Sequence, residues 1–270
     1  VTIEQPVKRF ALTAAVTLTA AVLHAHDFWI EPSTFHPEPG ATVSVGLRVG
    51  QDFVGDPVPR VSSAIERFVI RQNGHEDPID GLEGTDPSGW FQADGRATAV
   101  IAYRSRTSLV EMAPAKFEEY LRLQGLDHII NIRAKRGEHM KPSREIFSRC
   151  AKALLTGKKA SMVAIQPVGL RYEIVPSHDP TVSTAPFIGR VLYEGRPLPG
   201  ALVMAVWQSN PAIRMGARSG HDGAFSFALP RPGAWLIKSV LMVDAPAGSG
   251  AEWESLWASL TFETPKGGAR

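Results

Sequence analysis

Cysteine is nearly missing from this chain. Cys150 is the only one in 270 residues, so no intramolecular disulfide can form and the fold must rest on its apolar core. The spacings His-x-x-x-His and Cys-x-x-Cys are absent as well, which argues against a preformed structural zinc site. There is no Gly-x-Ser-x-Gly, and Ser62-Ser63 has no base nearby in the sequence, so a hydrolase reading has no nucleophile to start from. Neither a glycine-rich phosphate loop nor the strand–helix alternation of a dinucleotide fold is present. Neither sign of charge dominates: Lys and Arg number 29 against 27 Asp and Glu, a formal balance of +2. Nothing in that balance favours nucleic acid as a partner. No residue is assigned to catalysis, and the chain reads as a non-enzyme.

The apolar content of 44% and charged content of 21% are those of an ordinary globular protein. Val1 to Ala25 has the pattern of a secretory signal peptide. Lys8 and Arg9 precede an uncharged run from Phe10 to Leu23, and Ala25 is a small residue suited to cleavage. A cut after Ala21 competes with a cut after Ala25. The run falls short of a comfortable membrane span of ~20 residues, and no cysteine stands where a lipoprotein would be acylated. The expectation is an exported, periplasmic protein without stable membrane insertion after cleavage.

From residue 26 the chain reads as mainly β. Val43, Val45, Leu47 and Val49 alternate with Thr42, Ser44, Gly46 and Arg48, the pattern of a half-buried strand. Arg67 to Arg71 is a second strand, ending at the hairpin signal Asn73-Gly74. Trp90-Phe91 and Ala97 to Arg104 are further extended pieces. A helical insertion is expected over about 114–156, in three parts. Phe117, Tyr120 and Leu121 have helical spacing before a stop at Gly125. Asp127 is expected to cap a second helix carrying Ile129, Ile130 and Ile132. Ser143 caps a third, with Ile146, Phe147, Cys150, Ala153 and Leu154 on one stripe. Cys150 in that stripe reads as a small buried side chain. Strand returns at Gly169 to Val175. The Pro-, Ser- and Thr-rich segment 177–186 reads as a linker. Strands at Ile188 to Tyr193, Gly200 to Trp207, Ala224 to Leu229, Ala234 to Met242 and Trp257 to Phe262 form a second unit. The expected architecture is two β-sandwich-like domains, 26–176 and 187–264, the second of immunoglobulin or transthyretin type.

Several stretches together resemble one family. His26-Asp27-Phe28-Trp29-Ile30-Glu31-Pro32 is similar to the mature start of bacterial exported proteins with a domain of unknown function. That family is labelled a periplasmic component of cobalt or nickel uptake, like the NikK- and NikM-type accessory proteins. Lys116 to Leu121, Phe147 to Leu154, Leu192 to Leu198 and Trp253 to Phe262 resemble further segments of it. The second unit also resembles carboxypeptidase regulatory-like modules. The resemblance implies metal binding without catalysis and a membrane metal-importer component as partner. One departure stands out. Where relatives have a histidine in the strand after the tryptophan, this chain reads Trp235-Leu236-Ile237-Lys238-Ser239-Val240.

The candidate metal residues are His26, Asp27 and His221. If the leader is cut after Ala25, His26 offers an α-amine and an imidazole from one residue, a chelate suited to nickel or cobalt, with copper and zinc also chemically compatible. Asp27 is expected to add a carboxylate or to hold the imidazole. His221, in the turn Ser219-Gly220-His221-Asp222-Gly223, is the expected distant ligand, and His36, His75, His128, His139 and His178 are weaker candidates. The competing reading makes His26 an ordinary residue at the start of a strand. Three roles follow: a nickel- or cobalt-binding protein assisting uptake, a metal-free interaction protein of the envelope, or a copper protein of the histidine-brace kind. Glu118-Glu119 reads as a solvated helix face, and the six tryptophans read mainly as core.

Overall fold

A computed structural model describes residues 26–266; the expected signal peptide, Val1 to Ala25, lies outside them. The protein is mainly β, as its alternating sequence predicts. In chain order the strands of the first half are β1 (Asp27–Pro32), β2 (Thr42–Gln51), β3 (Val54–Pro57), β4 (Ile65–Gln72), β5 (His75–Pro78), β6 (Gly89–Gln92), β7 (Ala99–Ser105) and β8 (Ser108–Met112). Two helices follow, α1 (Pro114–Leu123) and α2 (Asp127–Lys135), and then β9 (Ser143–Leu155) and β10 (Tyr172–Pro176). The remaining strands are β11 (Phe187–Tyr193), β12 (Arg196–Pro197), β13 (Leu202–Trp207), β14 (Arg214–Arg218), β15 (Ala224–Phe227), β16 (Gly233–Asp244) and β17 (Trp253–Thr264).

These strands form three sheets packed face to face. A nine-stranded sheet runs β14-β13-β16-β17-β9-β7-β4-β5, with β8 also paired to β9. Its centre is the parallel pairing of β17 with β9, which puts strands from both halves of the chain in one sheet. Alternation sorts its side chains to two faces. Ala99, Ile101 and Tyr103 of β7 pack with Phe28, Ile30, Val43, Val45 and Leu47 of the sheet made by β1, β2, β3 and β6. Val100 and Ala102 of the same strand, with Cys150, Trp235, Ile237 and Leu260, pack against Tyr172, Phe187 and Phe225 of the sheet made by β10, β11, β12 and β15. Segment 177–186 joins β10 to β11, which pair antiparallel.

The hairpin expected at Asn73-Gly74 is present. Gln72 pairs with His75, and both turn residues have positive φ, the type I′ geometry that fits the twist of a two-residue hairpin. The first two expected helices form, and each ends on a glycine. After α1, Gly125 has φ +67°, its N–H donates to the Arg122 carbonyl, and the Leu126 N–H reaches back to Leu121. Gly137 closes α2 in the same way, with Glu138 donating to the Arg133 carbonyl. Only a residue tolerant of left-handed backbone closes a helix like this. Asp127 is the first residue of α2 rather than its cap, which is Leu126.

The third expected helix does not form. Residues Ser143–Leu155 are β9, a thirteen-residue strand buried along most of its length. Its edges are paired by β17, β7 and β8, and its two faces lie in different cores, Ala151, Ala153 and Leu155 in one and Cys150 and Leu154 in the other. A strand buried on two faces loses polar alternation and becomes a nearly continuous apolar run, and helical spacing then appears in it by chance. Cys150 is buried as expected, and burial pushes its thiol up to about 11, leaving it an inert packing group.

Candidate functional site

His26 and Asp27 line a cleft of about 510 Å³. One wall comes from the ends of β1 and β2, with His26, Asp27, Gly50, Gln51 and Asp52. The second comes from α1, with Lys116, Glu119, Tyr120, Leu123 and Gln124. The floor is the nine-stranded sheet, through Met204, Val206 and Lys238, and Arg214 closes one side. The first sheet and the helical pair sit side by side on the same sheet face. Leu236 on β16 belongs to the core under the first sheet, and Val240 and Met242 to the core under the helices. The cleft is the gap between them.

Each wall is fixed by packing. On the β wall, Gly50-Gln51 leads into a two-residue turn, Asp52-Phe53, where both residues have positive φ. A left-handed phenylalanine is a costly backbone choice. It is held by burial of the Phe53 ring, edge-on to Trp29 with centroids 5.4 Å apart. A side chain on Gly50 would run into the Val54 carbonyl at 2.1 Å, so only glycine permits the close return. Asp52 is thereby presented to Arg214, whose Nη1 lies 3.1 Å from both carboxylate oxygens. On the helical wall, Pro114 stands at the first turn of α1, where its missing N–H costs nothing. Phe117, Tyr120 and Leu121 seat the helix, and Tyr120 stacks on Trp257 of β17 at 5.7 Å.

Asp27 is 4% exposed and forms an ion pair with Lys238 of β16, 2.5 Å apart. Burial pushes its carboxyl above the ordinary range, and the Lys238 ammonium offsets part of that rise. The pair ties β1 down onto the sheet across 211 residues of sequence. The Thr261 hydroxyl donates to the Ile30 carbonyl at 2.8 Å and fixes the next turn of the same pleat. Of the stretch Trp235 to Val240, Lys238 is the residue that lines this cleft.

The three metal candidates are not assembled. His26 and Asp27 line the cleft, but His221 is exposed in the turn between β14 and β15 and does not line it. His36 lies 3.2 Å from Glu263, and His75, His128 and His139 are exposed. Among the described residues no group of three or more His, Cys, Asp or Glu comes together as a metal cage. The helix face Glu118-Glu119 divides. Glu118 pairs with Arg122 at 2.7 Å one turn on, whereas Glu119 turns to the cleft. At 100° per residue, adjacent positions on a helix point apart, so the register of α1 separates them. Lys116, Glu119, Tyr120 and Lys238 are cleft residues that sequence reasoning missed. Helical period alone could have placed Lys116, Glu119 and Tyr120 on nearby faces, but nothing local points to Lys238. Four of the six tryptophans, Trp29, Trp235, Trp253 and Trp257, are buried, in line with a packing role.

Fold and site together define a mainly β protein with layered sheets and one mixed polar and apolar cleft beside its first strand. The chain belongs to a family described as a domain of unknown function (DUF4198), which matches residues 23–242. No curated protein matches it. Among solved structures it is similar to the D0-D1 domain of Intimin at 10% identity, over 88% of this chain and 98% of that one, with a TM-score of 0.20.

Proposed function

We propose that this is an exported, non-catalytic protein that binds a transition-metal ion, nickel or cobalt, at the start of β1 and assists its uptake through a membrane importer component. The observation that carries this reading is the position of His26 at the cleft, on a strand held in place by the buried Asp27–Lys238 pair. Cleavage after Ala25 puts a free amine there beside the imidazole. Asp27 does not fit as a direct ligand, because its carboxylate is committed to an ammonium, and a cation beside Lys238 is repelled. The donors that fit are the amine and imidazole of His26, as an open chelate with Asp27 as its anchor.

Nickel and cobalt titration of the secreted protein, with its first residue read by mass, tests this. Chains beginning at His26 are expected to bind at least roughly tenfold more tightly than His26→Ala or an amine-blocked chain, with affinity falling as pH drops and both donors take up protons. Equal weak binding by all three sinks the reading. A second reading, an envelope interaction protein without metal, draws on the engagement of Asp27 by Lys238 and on the lack of a three-residue cage among the described residues. Chelator-insensitive co-purification with an envelope partner favours it.

A further inference from the structure

Beneath the helical wall of the cleft lies a buried carboxyl group. Glu145 of β9 is 1% exposed and points into the cluster formed by Phe117, Tyr120, Leu121, Val240, Met242, Trp253 and Trp257. Its Oε1 accepts hydrogen bonds from the Ser255 hydroxyl and, at 3.3 Å, from the Tyr120 hydroxyl. Ser255 accepts in turn from the Trp257 indole N–H at 2.9 Å. The other oxygen, Oε2, is fully buried and has no partner. Burial pushes this carboxyl up from 4.5 to about 7, against the pull of Ser255 and Tyr120.

The groups around it supply no counter-ion. From α1 the titratable group is Tyr120, whose hydroxyl is itself pushed up by burial and by the nearby carboxyl. From β17 come Ser255 and Trp257, and from β8 and β16 the apolar Val110, Met112, Val240 and Met242. The nearest charged residues on these elements are engaged elsewhere or face outward. Arg133 of α2 lies over the Phe117 ring at 4.9 Å and donates through Nη2 to the Glu138 and Lys141 carbonyls, its Nε having no partner. Arg136 lies over the Trp253 ring at 5.3 Å and pairs with Asp244 at 3.0 Å. Arg144 bonds Glu252. Glu111 of β8 is exposed, and Lys116 and Glu119 line the cleft. An ionised Glu145 therefore has one satisfied oxygen and one that needs water. Tyr120 touches both the carboxyl and the cleft and so stands between them.

We propose that Glu145 couples proton loss to the seating of α1, so that the ionised carboxylate draws water past Tyr120 and loosens the helical wall of the cleft. The device would act whatever ligand the cleft takes, and it makes the cleft tighter in acid than at neutral pH. An acid held above its free pKa favours the closed state fully below about 4.5 and loses that contribution as pH rises through about 7, with a plateau beyond.

Hydrogen exchange of the metal-free chain at pH 5 and pH 8, with the intrinsic rate divided out, tests the proposal. Amides of residues 117–124 are expected to open at least roughly tenfold more often at pH 8, with most of the rise below pH 7. Glu145→Gln is expected to abolish that rise. Tyr120→Phe keeps the ring stack and removes one donor to the carboxylate, so its midpoint is expected at higher pH. Equal opening at the two pH values, or an undiminished rise in Glu145→Gln, overturns the proposal. If Glu145→Gln does not fold, an unmoved midpoint in Tyr120→Phe overturns it equally. No metal is present in this measurement, so its failure is separate from failure of the nickel titration.

Discussion

The two faces of the nine-stranded sheet each bury a glutamate, and they treat it differently. On one face Glu173 is sealed with Lys152 of β9, 2.8 Å away. Its carboxylate also accepts the N–H groups of Val168, Gly169 and Leu170, so both oxygens are served. On the opposite face Glu145 has two hydroxyl donors on one oxygen and nothing on the other. The first carboxylate is a structural clamp that holds the 168–170 loop against the sheet. The second is a partly served group in an apolar cluster, where its charge is expensive. A buried charge is tolerated when every lone pair is met, and it becomes responsive to conditions when one is left over.

The largest effect is expected from breaking the clamp. Glu173→Leu strands the Lys152 ammonium and three loop N–H groups, and should cost roughly 3–5 kcal/mol or more in urea unfolding. Lys152→Met leaves the carboxylate its three N–H donors and should cost clearly less, about 1–3 kcal/mol. Equal losses in the two variants would show that the loop bonds carry no weight.

The next effect sharpens the contrast from the other face. Glu145→Gln keeps the acceptor oxygen but cannot ionise, so at pH 8 it should be more stable than the unaltered chain by at most about 3 kcal/mol. The gain should vanish near pH 4.5, because the native group binds its proton more tightly than the unfolded chain does over the window from about 4.5 to about 7. Unfolding curves at several pH values read this directly, and a gain independent of pH contradicts it. The smallest effect concerns a pair outside both cores. Arg214 and Asp52 meet at the cleft edge with the arginine about half exposed, and Arg214→Ala should change stability by about 0.5 kcal/mol or less, diminishing with salt.

Local signals made much of this fold legible. Val43, Val45 and Leu47 announce a one-sided strand, Asn73-Gly74 announces the hairpin after the next expected one, and Gly125 announces a helix end. The signals fail where burial is two-sided or the partner is distant. The Ile146, Phe147, Cys150 and Leu154 pattern imitates a helix because β9 has no solvent face to show alternation. The helix stripe also passed over Lys152, whose charge makes sense only beside Glu173. At the site, His26 and Asp27 could be singled out from residue chemistry. Lys238 could be noticed only as an oddity, since its meaning lies in a carboxylate at the far end of the sequence. Glu145 gave no signal at all, because a single glutamate in a strand looks like a surface residue until its neighbours are known.

The parallel pairing of β17 with β9 has a consequence for how the molecule is made. β17 occupies the middle of the widest sheet, between β16 and β9, yet it comes after the other strands of that sheet in chain order. Until Trp253 to Thr264 arrive, β16 and β9 each present a long unpaired edge and the two halves of the sheet have no common seam. Pairings between distant segments are slow to form, and this one waits for the final segment of the sheet. A sheet built in this order stays in two parts until its latest strand arrives, as a zip closes when the slider reaches the end.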